Sequence, residues 1–202
     1  MKRLLFLWLA SILGYLANIE FSLGWNASHR KQHLRGLHLR AMSVKHMKNV
    51  SVGCDFHLRI RGNLELGERC AIGSFTHIWN YAPVLIGDDF LSAGSLTINT
   101  GGHDVSTLMP FSQPVRIGNR VWCGVNVTIL AGVTIGDDVV IAAGSVVNNS
   151  IQSGVIVAGV PARVIKPIER DLENFWRAKW PKSHKQKNEF IGIKNTAHRK
   201  LK

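Results

Sequence analysis

Acidic residues are scarce in this chain: 13 Asp and Glu stand against 25 Lys and Arg in 202 residues, a formal net charge of +12. The excess lies at the ends. Residues 1–50 carry eight basic and one acidic side chain (+7) and residues 163–202 carry twelve and four (+8), whereas residues 51–162 carry five and eight (−3). Basic ends suit an anionic partner such as a membrane surface; no helix-turn-helix, RNP-like or zinc-finger pattern accompanies them, which argues against nucleic acid. Cysteine is scarce too. Cys54, Cys70 and Cys123 stand far apart, without a CxxC. An odd, scattered set excludes a disulfide framework or zinc ribbon and fits a reducing compartment.

A full-length membrane span is also missing from the N-terminus. Leu4 to Ile19 is uncharged and apolar, but as a helix it reaches only about 24 Å, short of a hydrocarbon core of roughly 30 Å. Lys2 and Arg3 precede the run as in a signal peptide, yet no small-x-small cleavage site follows. Ser11, Tyr15, Asn18 and Ser22 would align on one helical face. We expect residues 1–27 to form a helix in or against the inner face of the cell membrane. The basic linker 28–49, with "HRKQHLRGLHLR", would then lie near anionic lipid. A short anchor or a helix packed on the domain are the alternatives.

What the middle of the chain has instead is a period of six. In "VRIGNRVWCGVNVTILAGVTIGDDVVIAAGSVV", Ile117, Cys123, Ile129, Ile135, Ile141 and Val147 begin successive hexads. Four residues after each come Val121, Val127, Val133, Val139, Ser145 and Ile151, and Gly118, Gly124 and Gly136 follow three of the first positions, where a tight corner leaves no room for a Cβ. A helix would repeat at three and four and a flat sandwich at two. A sustained hexad marks a parallel β-helix of stacked short strands.

Upstream, Cys54, Ile60, Leu66, Ile72 and Ile78 keep the spacing, with Leu58, Leu64, Cys70, Thr76 and Ala82 at the second site. Ile86, Ser92 and Ile98 continue it two residues out of phase, and Ile117 follows Ile98 by nineteen rather than eighteen. The repeat therefore slips at "WNYAP" and at "GGHDVSTLMPFSQP". Slips in a solenoid are where loops leave the wall, and loops on rigid walls are where sites are built. His103 stands at the root of the second. The cysteines fall at core or small-residue positions, where thiols are inert fillers.

The hexads together with "NTGGHDV", "IGDDVVIAAGSVV" and the closing "VIVAGVPARVIKPI" resemble the hexapeptide-repeat acyltransferases. The branch they look most like contains the galactoside, maltose, nodulation-factor and surface-polysaccharide O-acetyltransferases. The resemblance covers roughly residues 50–168. It implies an all-β fold, a left-handed parallel β-helix over 50–166, assembled as a homotrimer with acetyl-CoA in a groove between neighbouring coils. It further implies that His103 is the general base for an acceptor hydroxyl. Imidazole suits that role, because its unperturbed pKa of about 6.5 lets it accept a proton near neutral pH and return it to the leaving thiolate.

Asp104 is a candidate to orient the imidazole, and Asn80, in the first slip, a candidate contact for acceptor or acetyl group. Beside it, Trp79 is placed to stack on a sugar ring or to fill core or rim. The resemblance places Val125, Ala143, Asn148, Arg163 and Lys166 along the cofactor groove, with Gly124 and Gly144 letting backbone approach the pantetheine arm. Arg163 and Lys166 carry the charge for phosphates. Asn149 departs from the Lys often found there in relatives, and the hydrophobic segment replaces the acceptor-binding N-terminal helices of the galactoside type. In 167–202, "IERDLENFWRAKWPK" reads as a short helix and the remainder as a basic tail.

The expected function is acetyl transfer to a sugar hydroxyl of a surface polysaccharide or its precursor, in the cytoplasm at the inner membrane face and without a metal. Acetylation of a nucleotide amino sugar at nitrogen is the alternative. A zinc γ-carbonic-anhydrase-like site needs three histidines, and after His77 and His103 no further one comes until His184. A non-catalytic β-helix is the remaining reading.

Overall fold

Two- and three-residue strands, joined at sharp corners, wind the chain through about five turns of a left-handed parallel β-helix. The computed structural model describes residues 49–168, together with residues 12, 39 and 42–45. Nearly all of 1–27, most of 28–49 and everything after Ile168 lie outside the described residues, and with them the expected terminal helices, the membrane contact and the basic tail. No helix among the described residues is long and apolar enough to cross a membrane.

Each turn contributes one strand to each of three walls. The first wall stacks Ser51–Val52, Ala71–Ile72, Leu91–Ser92, Trp122–Cys123, Val140–Ile141 and Val155–Gly159, closed by the antiparallel strand Ala162–Pro167. The second stacks His57–Leu58, His77–Trp79, Thr97–Asn99, Thr128–Ile129 and Val146–Val147; the third, Leu64–Leu66, Val84–Ile86, Val115–Ile117 and Thr134–Ile135. Alternate residues point inward, so Val, Ile and Leu fill the bore: Ile98, Ile129, Ile141, Val127 and Val139 are fully buried. Backbone bonds run from turn to turn, as in Leu91 N–H to Val121 O and Trp122 N–H to Val139 O, both 2.9 Å.

The expected register holds from Leu66 to Val147 and fails on either side of it; above, Ile151 pairs with Ile135 and not with Val133. Val52 pairs with Ile72, Leu58 with Ile78 and Leu66 with Ile86, so the lowest turn begins its hexads at Val52 and Leu58, not at Cys54 and Ile60. Ile60 is 37% exposed at a corner. A further slip, of two residues at Arg59–Asn63, sits directly under the one at "WNYAP". Because side chains alternate with period two, a shift of two residues leaves every apolar position on its own face, and spacing alone does not reveal it. The solenoid also outruns its expected limits. Leu39 and Val44 are buried in the core, Lys45 bridges to Glu65, and the last strand reaches Pro167, with Ile168 N–H on Gly154 O at 2.8 Å.

The corner between third and first walls repeats one device. Asp88 Oδ1 accepts from Glu68 N–H (2.8 Å), Asn119 Oδ1 from Asp88 N–H (2.9 Å), Asp137 Oδ1 from Asn119 N–H (2.7 Å) and Ser153 Oγ from Asp137 N–H (2.9 Å). Beside this ladder, Arg69 grips Asp89 and Arg120 grips Asp138 through paired bonds of 2.6–2.9 Å. These bonds raise both guanidinium pKa values. All three cysteines are buried, as expected; desolvation pushes the Cys70 thiol up to about 11 and Cys123 up to about 12.

Candidate active site

The corner between second and third walls differs from turn to turn, and in the third turn it carries a hairpin. After Thr97–Asn99 the chain passes Thr100, fully buried, whose hydroxyl accepts from Ala82 N–H at 2.8 Å. The expected loop is then a two-stranded antiparallel ribbon: Gly101–His103 pairs with Pro110–Ser112, His103 opposite Pro110 and Gly102 opposite Phe111. Gln113 N–H on Thr100 O, at 2.8 Å, closes its root. The ribbon lies so close to its neighbours that a Cβ on Gly101 would stand 2.6 Å from Tyr81 Cδ2, and one on Gly102 2.8 Å from Phe111 Cζ. A side chain at either position would push the neighbouring ring aside.

His103 is exposed, and its Nδ1 lies 2.8 Å from Leu108 O. A carbonyl only accepts, so the bond puts a proton on Nδ1, and in the neutral ring the lone pair then lies on Nε2. The imidazole borders a cleft of about 520 Å³ lined by Trp79, Tyr81, Asn99, Phe111 and Ser112 together with the ribbon backbone. Among the described residues, three aromatic rings and no carboxylate, ammonium or guanidinium face the cleft.

Asn80 is placed otherwise than expected. It is fully buried, Nδ2 donating to Ile60 O (2.7 Å) and Oδ1 accepting from Ile60 N–H (2.8 Å). The side chain braces the slipped corner below, and its full burial keeps it from an acceptor. Asp104 does not touch the imidazole either; its carboxylate serves the turn that follows. Trp79, 43% exposed, lies on the cleft, not in the core.

The expected cofactor residues fall in three places. Gly124–Val125 and Ala143–Gly144 stack at the corner between first and second walls, joined by Gly144 N–H on Val125 O at 2.8 Å. A Cβ on Gly124 would meet Ala143 N at 2.6 Å, so coil-on-coil contact explains this glycine. Gly144 is different: it has φ +71° and open space where a Cβ would project. Asn148 lies at the other corner, two turns from the root of the ribbon, and accepts from Asn149 Nδ2 at 2.9 Å.

Arg163 and Lys166 are three residues apart, which on a regular strand sets them on opposite faces. An irregularity in the pairing changes that. Arg163 pairs with Ala158 and Lys166 with Ile156, both outward-facing residues, because the register shifts between Ile156 and Val157. Cross-strand partners share a face, so both cations project from the outer side of the first wall. Both are exposed, and Arg163 Nη1 donates to the adjacent Ala162 O.

Sequence reasoning missed Tyr81, Phe111 and the Leu108 carbonyl. The first two lie in the two slips, so an aromatic residue inside a break of the repeat was the available signal. A carbonyl has no signature in sequence.

The model of the bacterial transferase hexapeptide family (six repeats) matches residues 114–149. The galactoside O-acetyltransferase of Escherichia coli (strain K12) is 44% identical over 100 residues, 46% of this chain and 49% of that protein. The chain thus spans about half the length of that relative. The Escherichia coli (strain K12) protein named "Putative lipopolysaccharide biosynthesis O-acetyl transferase WbbJ" is 34% identical over 154 residues, 67% of this chain and 78% of its own. Among solved structures, a maltose O-acetyltransferase from Clostridium difficile 630 is 30% identical with a TM-score of 0.68, over 80% of this chain and 85% of that one. A galactoside acetyltransferase in complex with coenzyme A is 30% identical with a TM-score of 0.63, over 79% and 81%.

Proposed function

The chain belongs to the hexapeptide-repeat acyltransferase family, and from that premise we propose that it moves an acetyl group from acetyl-CoA to a hydroxyl of a sugar in a surface polysaccharide or its precursor. The observation that carries the reading is the state of His103. With Nδ1 engaged by Leu108 O, the neutral ring carries its lone pair on Nε2, and the residue borders a cleft walled by aromatic rings. Such rings stack on the apolar faces of a pyranose. The acceptor hydroxyl gives its proton to Nε2 as its oxygen attacks the thioester carbonyl. The carbon–sulfur bond breaks, the proton passes to the departing thiolate, and an acetate ester and a free thiol result.

The chain's own residues suit the donor. Arg163 and Lys166, on one face, match the phosphates of a nucleotide, and the open Gly144 admits a slender pantetheine arm. On a single chain these cations project from the first wall, whereas His103 stands at the far corner of the second. A homotrimer, in which one chain's ribbon meets the next chain's first wall, would join them. Light scattering should then give three times the chain mass.

Acetyl transfer measured on His103→Asn and Arg163→Ala tests the assignment. His103→Asn should lower kcat by about 10²–10⁴ while acetyl-CoA still binds. Arg163→Ala should raise the KM for acetyl-CoA about 10- to 150-fold with kcat little changed, the share of one charge-assisted phosphate contact. A His103→Asn enzyme within threefold of wild type removes the base from the mechanism.

A further inference from the structure

We propose that Asp104 is the positioning residue of the catalytic histidine and acts at one remove, by building the turn that aims the Leu108 carbonyl at His103 Nδ1. The inference rests on the reading of His103 as base.

A base that works through Nε2 needs its proton kept on Nδ1, because the other tautomer presents an N–H where a lone pair is required. The group that keeps it there is five residues along the chain. To bring a carbonyl back over that span the backbone must reverse, and the reversal converges on one carboxylate oxygen. Asp104 Oδ1 accepts from Ser106 N–H (3.0 Å), Ser106 Oγ (2.6 Å), Thr107 N–H (2.9 Å) and Thr107 Oγ1 (2.9 Å). The main chain closes around it, with Leu108 N–H on Asp104 O at 2.8 Å and Asp104 N–H on Met109 O at 2.9 Å. Leu108 itself takes φ +57°, a left-handed conformation that a leucine rarely adopts without outside support.

Among the described residues, no apolar burial supplies that support. Val105 is 96% exposed, Leu108 73% and Met109 66%. The turn is held by hydrogen bonds, and Asp104 takes part in most of them. Donation by four groups, the Ser106 hydroxyl foremost, holds the carboxyl down at about 2. It is therefore ionised wherever the imidazole can act as a base. The arrangement differs from a directly bonded Asp–His pair: the carboxylate fixes the tautomer through a neutral carbonyl and places no charge against the ring.

The test uses full-length protein with ¹⁵N-labelled histidine, read by the tautomer of His103 and by steady-state kinetics. Wild type should show Nδ1 protonated and Nε2 bare. Asp104→Ala should mix the tautomers and lower kcat about 10- to 100-fold, the scale of a small misplacement of a catalytic group, with the KM for acetyl-CoA unchanged. Asp104→Asn keeps an acceptor oxygen and should recover most of both readouts. An Asp104→Ala protein that keeps Nδ1 protonated overturns the proposal. A mixed tautomer with undiminished kcat overturns instead the reading of His103 as base. If Asp104→Ala does not fold, Ser106→Ala with Thr107→Val, which removes only the two hydroxyl donors, should shift the tautomer in the same direction. No shift there counts equally against it.

Discussion

Two corners of the same coil obey opposite rules. Between third and first walls Gly67, Gly87, Gly118 and Gly136 are each followed by polar residues, and the side chains of Asp88, Asn119, Asp137 and Ser153 cap the backbone of the turn beneath. Between second and third walls the corner changes along the stack. One is braced by Asn80, the next carries the ribbon with His103, and the uppermost exposes Asn148 and Asn149. The uniform corner has its hydrogen-bonding capacity directed along the stack. The irregular one departs from the stack in the turns where Trp79, Tyr81, His103 and Phe111 gather round a cleft. Repetition serves the scaffold; the cleft occupies the turns where repetition stops.

Substitutions at the two corners should therefore separate stability from activity, with one instructive exception. The exception has the largest expected effect. Asn80 is at the irregular corner but fully buried and bonded at both ends, so Asn80→Ala should cost about 2–3 kcal/mol, the penalty for stranding its partners. Its melting temperature should fall by about 5–10 °C, with the acceptor KM unchanged in the folded fraction; a changed KM and unchanged melting would return Asn80 to the site. Next comes Tyr81→Ala, which removes a ring 44% exposed on the cleft. Stacking of this kind is worth about 0.5–1.5 kcal/mol, so acceptor KM should rise roughly 2- to 13-fold while melting stays put. Smallest is Asp138→Ala at the uniform corner. Its pair with Arg120 is bidentate but about a quarter exposed on each side, so about 0.5–1 kcal/mol and a few degrees of melting should be lost. Kinetics at saturating acceptor should not change; if they do, the two corners are not independent.

Much of this was legible in the hexads. Ile117 to Val147 fall on the inner face as their spacing demands, because six residues make one strand and one corner, and an inward residue must be apolar. The lowest turn was not legible, since a shift of two residues at Arg59–Asn63 preserves both alternation and apolarity. His103 was marked by the break around it. Its partner was not, because the Leu108 contact is made by a backbone oxygen whose direction depends on a local φ. Arg163 and Lys166 were recognisable by charge, yet their common face depends on a pairing irregularity that no residue type announces. Asn80 misled for a physical reason. A lone polar residue in a break serves a ligand or a neighbouring backbone equally well, and only its burial tells which.

The ribbon has a consequence for how such an enzyme can change. From Ile78 to Ile86 the chain takes eight residues to round the corner; from Ile98 to Ile117, one turn higher, it takes nineteen. Lengthening a closed segment by that factor costs only about 0.8 kcal/mol in chain entropy. The walls continue undisturbed on either side, Val115–Ile117 lying in register on Val84–Ile86. The segment that carries His103 and half the cleft is therefore an exchangeable part. One ribbon can replace another, of different length and different aromatic content, without renegotiating a single contact in the bore. On the proposed function, acceptor preference can drift by whole-segment replacement while the strand that carries Arg163 and Lys166 stays as it is.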